Sequence, residues 1–445
     1  MLAIVLAPPA QASSIAQNAP AERPPAASES FSVLSFNMAG GWACLVLPND
    51  ECKGNYPDAP YDEERDNAVP ALAESIRARD TKVALIQEAC RDWIEDELPA
   101  ELGKEYRVGF EAFSQQGEDG VWRTPGCKTA GSERGPDYGI GIVVHEDFGD
   151  VTFSSRLLDS GEDTSNRPER KKMLCAHSAE LNAVACSIHL QVGREANEVE
   201  VRESQAESAM EYLAERFPGQ TKIIGGDINA EAPHSGTEGG GTGEAGTDPS
   251  LEHFYHLDYT EGAEAPAHHG AYKEAFSGCG DDMGAGECMD GPLTRPNYLE
   301  KGEKEGLRPL EKIDYVFVSE WVEVKDTKVT APRHSDHKLL WADVEFPANA
   351  GQSYVDTIGN LKGWSSPYEN ADETGLLNGG TPYVYCRQWG REIKGERGES
   401  SWWVLTDLDE GDPWRLQWVS AYGLVDPGDA DDLPLCAGSF SQEPS

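Results

Sequence analysis

The chain has 445 residues, and its 79 acidic against 37 basic side chains give a formal charge of −42. The length exceeds one ordinary domain and suits a large domain with a small one, while 38% hydrophobic residues and 11 tryptophans exclude wholesale disorder. The acidity excludes a broad basic face of the kind that holds duplex nucleic acid by neutralising many phosphates, since the longest basic run is Arg170-Lys171-Lys172.

At the N-terminus, Leu2-Ala3-Ile4-Val5-Leu6-Ala7 is apolar and Ala10-Gln11-Ala12 is a small-x-small cleavage pattern. Residues 1–12 therefore read as the remnant of a secretion signal, and the protein as secreted. The apolar run is far shorter than the roughly 20 residues of a membrane span, so no transmembrane segment is expected. Residues 13–30, rich in Ala, Pro, Ser and Glu, read as a disordered leader.

The first predicted strand is Phe31–Phe36, closing on Ser35-Phe36-Asn37. Helical spacing of Val69, Leu72, Ala73 and Ile76 predicts a helix over Ala68–Arg79, and strand Val83–Ile86 follows, ending in Gln87-Glu88. Gly139–Val144 and Met173–Cys175 read as buried strands. Val184–Ile188 is a fifth, with His189 at its end. An amphipathic helix over Glu200–Phe217 leads to Lys222–Ile224 and then Gly225-Gly226-Asp227-Ile228-Asn229. His234 to Ser250 reads as a surface loop. Lys312–Val318 places Asp314 inside a strand shortly before Ser335-Asp336-His337. The ten cysteines fall into sequence neighbours: Cys44/Cys52, Cys90/Cys127, Cys175/Cys186, Cys279/Cys288 and Cys386/Cys436. Five local disulfides are the natural expectation, although sequence does not fix connectivity.

Four apolar runs thus end at once in a group that can bind metal or move a proton. Strand ends are where an α/β scaffold presents reactive side chains, so groups some 300 positions apart can converge there. The collected set (Asn37, Glu88, His189, Asp227, Asn229, Asp314, Asp336, His337) suits metal-assisted attack on a phosphodiester. Asp227 and Asn229 lie two apart and share one side of an extended segment, with an Asx-turn as the alternative reading. His189 and His337 are the natural acid–base groups, because imidazole alone changes charge near neutral pH without help.

The order and spacing of these segments resemble the endonuclease/exonuclease/phosphatase superfamily, best known through deoxyribonuclease I. The resemblance implies an α+β catalytic domain over residues 31–347, built as a four-layer α/β/β/α sandwich. It implies Glu88 as first metal ligand with Asn37 and Asp336 completing the site, Mg²⁺ or Mn²⁺ as cofactor, and Ca²⁺ as a structural candidate. Asp227 would orient or deprotonate the attacking water, and Asn229 and Asn37 would contact phosphate oxygens. His189 would contact the scissile phosphate or protonate the leaving oxygen, and Asp314 would hold His337. Arg170 sits where family members place a phosphate-contacting Arg, although its run also reads as solvated charge. Asp137 is an open counterpart for a carboxylate partner of the first histidine.

After a linker at 348–352, residues 353–445 hold six of the 11 tryptophans, with strand-like runs at Tyr383–Arg387, Trp402–Leu405 and Arg415–Ser420. The pattern from Trp402 to Leu424 resembles bacterial SH3-like domains, which implies a small all-β barrel stapled by Cys386 and Cys436 and a cell-wall or surface ligand. The expectation is a secreted, monomeric, divalent-metal-dependent phosphodiesterase, with nucleic acid as its substrate: DNA first, RNA second. The alternatives are a sphingomyelinase-like or small-molecule phosphoester hydrolase, and a non-catalytic surface-binding protein on the same scaffold.

Overall fold

The computed structural model describes residues 29–40, 68–117, 119–127, 135–161, 168–217, 220–230, 248–255, 272–276, 292, 294, 312–319, 322–330, 334–335, 337–346, 353–368, 371–411 and 417–433. The secretion remnant, nearly all of the leader, the 348–352 linker, Asp336, Cys44, Cys52, Cys279, Cys288 and Cys436 lie outside the described residues. No helix among the described residues is long and apolar enough to cross a membrane.

The first half of the N-terminal part contributes β1 (Glu29–Asn37), α1 (Ala68–Ala78), β2 (Thr81–Cys90), α2 (Leu98–Leu102), β3 (Tyr106–Ala112), β4 (Ser114–Gln116), β5 (Trp122–Arg123), β6 (Tyr138–His145) and β7 (Val151–Leu157). The second half contributes β8 (Glu169–Arg170), β9 (Lys172–Ser178), β10 (Ala183–His189), α3 (Ala196–Arg216), β11 (Thr221–Asp227), β12 (Tyr272–Glu274), β13 (Asp314–Ser319), β14 (Glu323–Thr330) and β15 (Leu339–Phe346). Helix α3 begins four residues before the predicted Glu200, where the Glu198 carboxylate accepts the Glu195 N–H at 3.0 Å and closes a capping box.

Two six-stranded mixed sheets result, in the orders β14-β15-β1-β2-β6-β3 and β12-β13-β11-β10-β9-β7. Each has a parallel pair at its middle, β1 with β2 and β10 with β11, flanked by antiparallel strands. Period-two alternation sorts the side chains into layers. Val33, Val83, Leu85, Ile142, Leu174, Ile223 and Val316 fill the space between the sheets. Leu34, Phe36, Ala84 and Ile86 turn the other way, onto Leu72 and Ile76 of α1 and Leu98 of α2. Met173, Ile188, Ile224 and Phe317 pack beneath Ala206 and Leu213 of α3. The N-terminal part is therefore layered helix, sheet, sheet, helix.

Polar and glycine positions tune how closely the sheets approach. Gln87 of the first sheet donates to the Ser187 hydroxyl of the second at 3.1 Å, and Ser187 donates back to the Ile86 carbonyl at 2.9 Å. A Cβ added to Gly225 would come 2.5 Å from Leu85 Cδ1, and one on Gly226 only 2.0 Å from the Ile188 carbonyl oxygen. Side chains at these two positions would push β11 off both neighbours. Disulfides join Cys90 to Cys127 and Cys175 to Cys186, two of the expected neighbour pairs. Cys386 is also disulfide-bonded, with its partner outside the described residues.

The C-terminal part differs from a closed barrel. Its described strands form an open six-stranded sheet in the order Cys386–Gly395, Gly398–Thr406, Gln417–Ser420, Leu361–Trp364, Glu373–Leu377, Glu410–Gly411. Among the described residues the two outermost strands do not pair with each other, and Ser353–Tyr354 with Tyr383–Val384 makes a separate ribbon. Its core holds Leu377, Val404, Leu408, Val419 and Leu424, with Trp403, Leu405 and Trp418 in a second cluster.

Candidate active site

The parallel pairs fix where reactive groups emerge. In β1/β2, Asn37 aligns with Gln87, one residue before Glu88; in β10/β11, His189 aligns with Asp227. Antiparallel β13 begins at Asp314, directly opposite Asp227. The segment entering β15 carries Ser335 and His337 to the same edge, where the Ser335 hydroxyl donates to the Asn37 carbonyl at 2.6 Å and accepts the His337 N–H at 3.0 Å. The C-terminal ends of both parallel pairs and the N-terminal end of β13 thus share one pole of the sandwich.

Side chains meet there in a connected set. The Asn37 amide nitrogen donates to Glu88 at 3.1 Å and to Asp227 at 3.0 Å, while its oxygen accepts the Ala39 N–H at 2.8 Å. Asn37 therefore presents its nitrogen to the carboxylates; a donor nitrogen cannot ligate a cation, and in this arrangement the residue steadies the acids instead of completing a metal shell. Asp227 accepts the Asn229 N–H at 3.0 Å, and the Asn229 side chain donates to the Leu190 carbonyl at 3.1 Å, tying down the loop after His189. His337 Nδ1 lies 3.0 and 2.8 Å from the two Asp314 oxygens, and its Nε2 faces Asp227 at 3.8 Å. His189 Nε2 stands 3.9 Å from Glu88 and 3.8 Å from Asp227. Ala39, Glu88, Asn229 and His334 all have positive φ, from 49° to 56°, and such strained non-glycine backbone clusters at functional sites.

The electrostatics follow from burial. His189 and Asp227 are almost wholly buried. Burial, then the charges of Lys171 and His337, hold the His189 imidazole well below its ordinary range, so it is neutral at pH 7. Burial, then the charges of Asp314 and Glu88, push the Asp227 carboxyl up, against a weaker opposite pull from His337.

Ligand atoms of Glu88, His189 and Asp227 come within 4.8 Å of one another, and so do those of Asp227, Asp314 and His337. This is an oxygen-rich donor set with excess negative charge, which a divalent cation would relieve. The residues present fit Mg²⁺ or Mn²⁺ held by Glu88 and Asp227.

Two further predicted residues have other partners: Arg170 stacks over Trp122 at 4.1 Å on an exposed face, and Asp137 pairs with Arg91 at 3.2 Å. Two groups escaped the sequence reading. Tyr138, partly buried and hydrogen-bonded through its hydroxyl to Glu88, opens β6. Lys171 is 2% exposed, with its ammonium 2.6 Å from Glu169 and 4.7 Å over the Phe113 ring. An aromatic hydroxyl heading an apolar strand was a legible hint for Tyr138; inside a basic triplet, nothing marked Lys171.

The sequence matches the profile of the endonuclease/exonuclease/phosphatase family over residues 34–337. No curated protein matches the chain. Among solved structures, an endonuclease/exonuclease/phosphatase from Bacteroides vulgatus is 16% identical over 71% of this chain and 98% of its own, with a TM-score of 0.43. One from Beutenbergia cavernae is 15% identical over 86% of this chain and 82% of its own, with a TM-score of 0.45. The catalytic domain of human Nocturnin with bound sulfate is 15% identical over 71% and 94%, with a TM-score of 0.44.

Proposed function

This chain belongs to the endonuclease/exonuclease/phosphatase family, and on that premise we propose that it is a secreted, divalent-metal-dependent phosphodiesterase whose substrate is nucleic acid, DNA first and RNA second. The observation that carries the reading is the meeting of Glu88, Asp227, His189 and the Asp314–His337 pair at one pole, with Asn37 bridging two of the acids.

A cation bound by Glu88 and Asp227 would neutralise phosphoryl oxygens and lower the pKa of water beside it. The chain's own groups supply the rest. Asp227, 3.8 Å from both His189 and His337, is suited to orient the attacking water. Asn37 and the Asn229 N–H hold that carboxylate in one orientation. Asp314 fixes the tautomer of His337 with the proton on Nδ1, leaving Nε2 to face the reacting group. Neutral His189 can hydrogen-bond the leaving oxygen. The Ala10-Gln11-Ala12 pattern and the disulfides support an extracellular, oxidising location. The C-terminal sheet we assign to holding a monomeric enzyme at a cell wall or surface.

A second reading, a small phosphoester as substrate, is favoured by the −42 charge and by the pairing of nearby cations with acids, Lys172 with Glu111 and Arg123 with Asp119. Release of acid-soluble nucleotides from plasmid DNA, with Mg²⁺ or Mn²⁺ and beside an Asp227→Ala control, separates the two. Cleavage that needs both metal and Asp227 supports the nuclease. Intact DNA together with hydrolysis of bis(4-nitrophenyl) phosphate selects the small substrate, and neither activity from folded protein overturns both.

A further inference from the structure

Asp314 and His337 reach the site from different sheets. Asp314 opens β13 of the second sheet, and His337 stands two residues before β15 of the first. Ladder hydrogen bonds fix spacing within a sheet and not between sheets. The 2.8 Å contact of His337 Nδ1 with Asp314 therefore needs a tether of its own.

Thr294, wholly buried, supplies one. Its hydroxyl oxygen accepts the N–H groups of Ile313 and Asp314, each at 3.1 Å, which matches the two lone pairs of a hydroxyl. Its carbonyl accepts the Lys338 N–H at 2.8 Å, on the peptide that follows His337. One residue thus grips the backbone that carries Asp314 and the backbone that carries His337. The Ile313 carbonyl is taken by the Ile228 N–H at 2.9 Å, so the start of β13 is bound to the end of β11 on one side and to Thr294 on the other. The Ser335 hydroxyl accepts the His337 N–H, which fixes the histidine on its other flank. Ile313 and Asp314 are buried, so without the Thr294 hydroxyl their N–H groups lose an acceptor and the start of β13 must shift to find one. We propose that Thr294 is a positioning residue, setting the distance and orientation between Asp314 and His337 without touching the substrate.

The inference rests on the phosphoester reading, and one of its readouts is independent of turnover. With Mn²⁺, kcat and KM for bis(4-nitrophenyl) phosphate are measured on the full chain, Thr294→Val, Thr294→Ser, His337→Gln and the Thr294→Val/His337→Gln double variant. The tautomer of neutral His337 is read from its ring-nitrogen resonances in metal-free, ¹⁵N-histidine-labelled protein, assigned by their loss in His337→Gln. Val keeps the shape of Thr and removes the acceptor, whereas Ser keeps the acceptor. Thr294→Val is expected to lower kcat by about 10- to 100-fold with KM within about threefold, as a small misplacement of a reacting group does. Its His337 resonances should show mixed tautomers in place of the Nδ1-protonated form. Thr294→Ser should stay within about threefold of wild type, and in the His337→Gln background Thr294→Val should cost less than about threefold, because the group it positions is gone. Should the Val variant fail to fold, Thr294→Ala takes its place, since its smaller side chain leaves room for a water at the two N–H groups.

A folded Val or Ala variant with wild-type kcat and an unmixed His337 tautomer would overturn the proposal. So would a Ser variant as impaired as Val, or a Val effect undiminished in the His337→Gln background, since either marks a role in packing alone. If wild type hydrolyses nothing while Thr294→Val still mixes the His337 tautomers, the positioning role stands and the assigned reaction falls.

Discussion

The Asn37 side-chain amide links the two sheets at their reactive pole: one nitrogen donates to Glu88 from its own sheet and to Asp227 from the other, 190 positions away. Removing it leaves two carboxylates facing each other without their shared donor. Asn37→Ala should destabilise the fold by about 1–3 kcal/mol, the cost of stranding buried acceptors. Asn37→Asp should be worse for activity than Ala, because it adds a third negative charge. Thermal melting and diester turnover on both variants check this ordering.

Asp314 grips His337 Nδ1 with both oxygens. An amide at this position could offer its own N–H to Nδ1 and select the wrong tautomer. Asp314→Asn should therefore lower kcat by about 10²- to 10⁴-fold with little change in KM. Steady-state kinetics on the folded variant check this, and an unchanged kcat would contradict the assignment.

Chelation should abolish turnover, with Mg²⁺ or Mn²⁺ restoring it. In Glu88→Gln the metal concentration for half-maximal rate should rise at least about tenfold, with full rate approached at saturation if Asn37 and Asp227 keep their places. Undiminished activity in EDTA would remove Glu88 and Asp227 from the role of cation ligands.

Lys222 tests the other end of β11. It is fully buried, donates to the Gln220 carbonyl at 2.9 Å, and burial pushes its pKa down to about 7 from 10.5. Between those values the unfolded chain binds a proton that the folded protein does not, so stability rises with pH across that window. The slope approaches about 1.4 kcal/mol per pH unit. Lys222→Met should lose this component, and the difference between the two proteins in denaturant melts from pH 7 to 10 isolates it from the chain's other charges.

Much of this arrangement was legible in the sequence because each decisive strand is a short apolar run with its reactive group at the end. Asn37, His189 and Asp227 needed only the rule that parallel strands present their ends together. Alternation within a run also separated the layers, as Val33 and Leu34 show by facing opposite cores. What stayed hidden depends on pairings between distant segments. Whether Arg170, Lys171 or Lys172 turns inward is set by the register of β8 on β4, with Arg170 opposite Ser114, which no local pattern encodes. The orientation of the Asn37 amide is set by the Ala39 N–H just past the strand end. In the C-terminal part, the aromatic runs announced strands, but whether a sheet closes on itself is decided by its outermost pairings.

The two disulfides described in the catalytic part sit directly behind its working ends. Cys90 follows Glu88 by two residues and is fastened to Cys127, while Cys186, three residues before His189, is fastened across the sheet to Cys175 on the strand that begins just after Lys171. Each bond therefore acts as a rivet behind a reactive strand end. It shortens the span of chain that thermal motion can swing before Glu88 or His189 is reached, so both groups are held by a covalent brace as well as by packing.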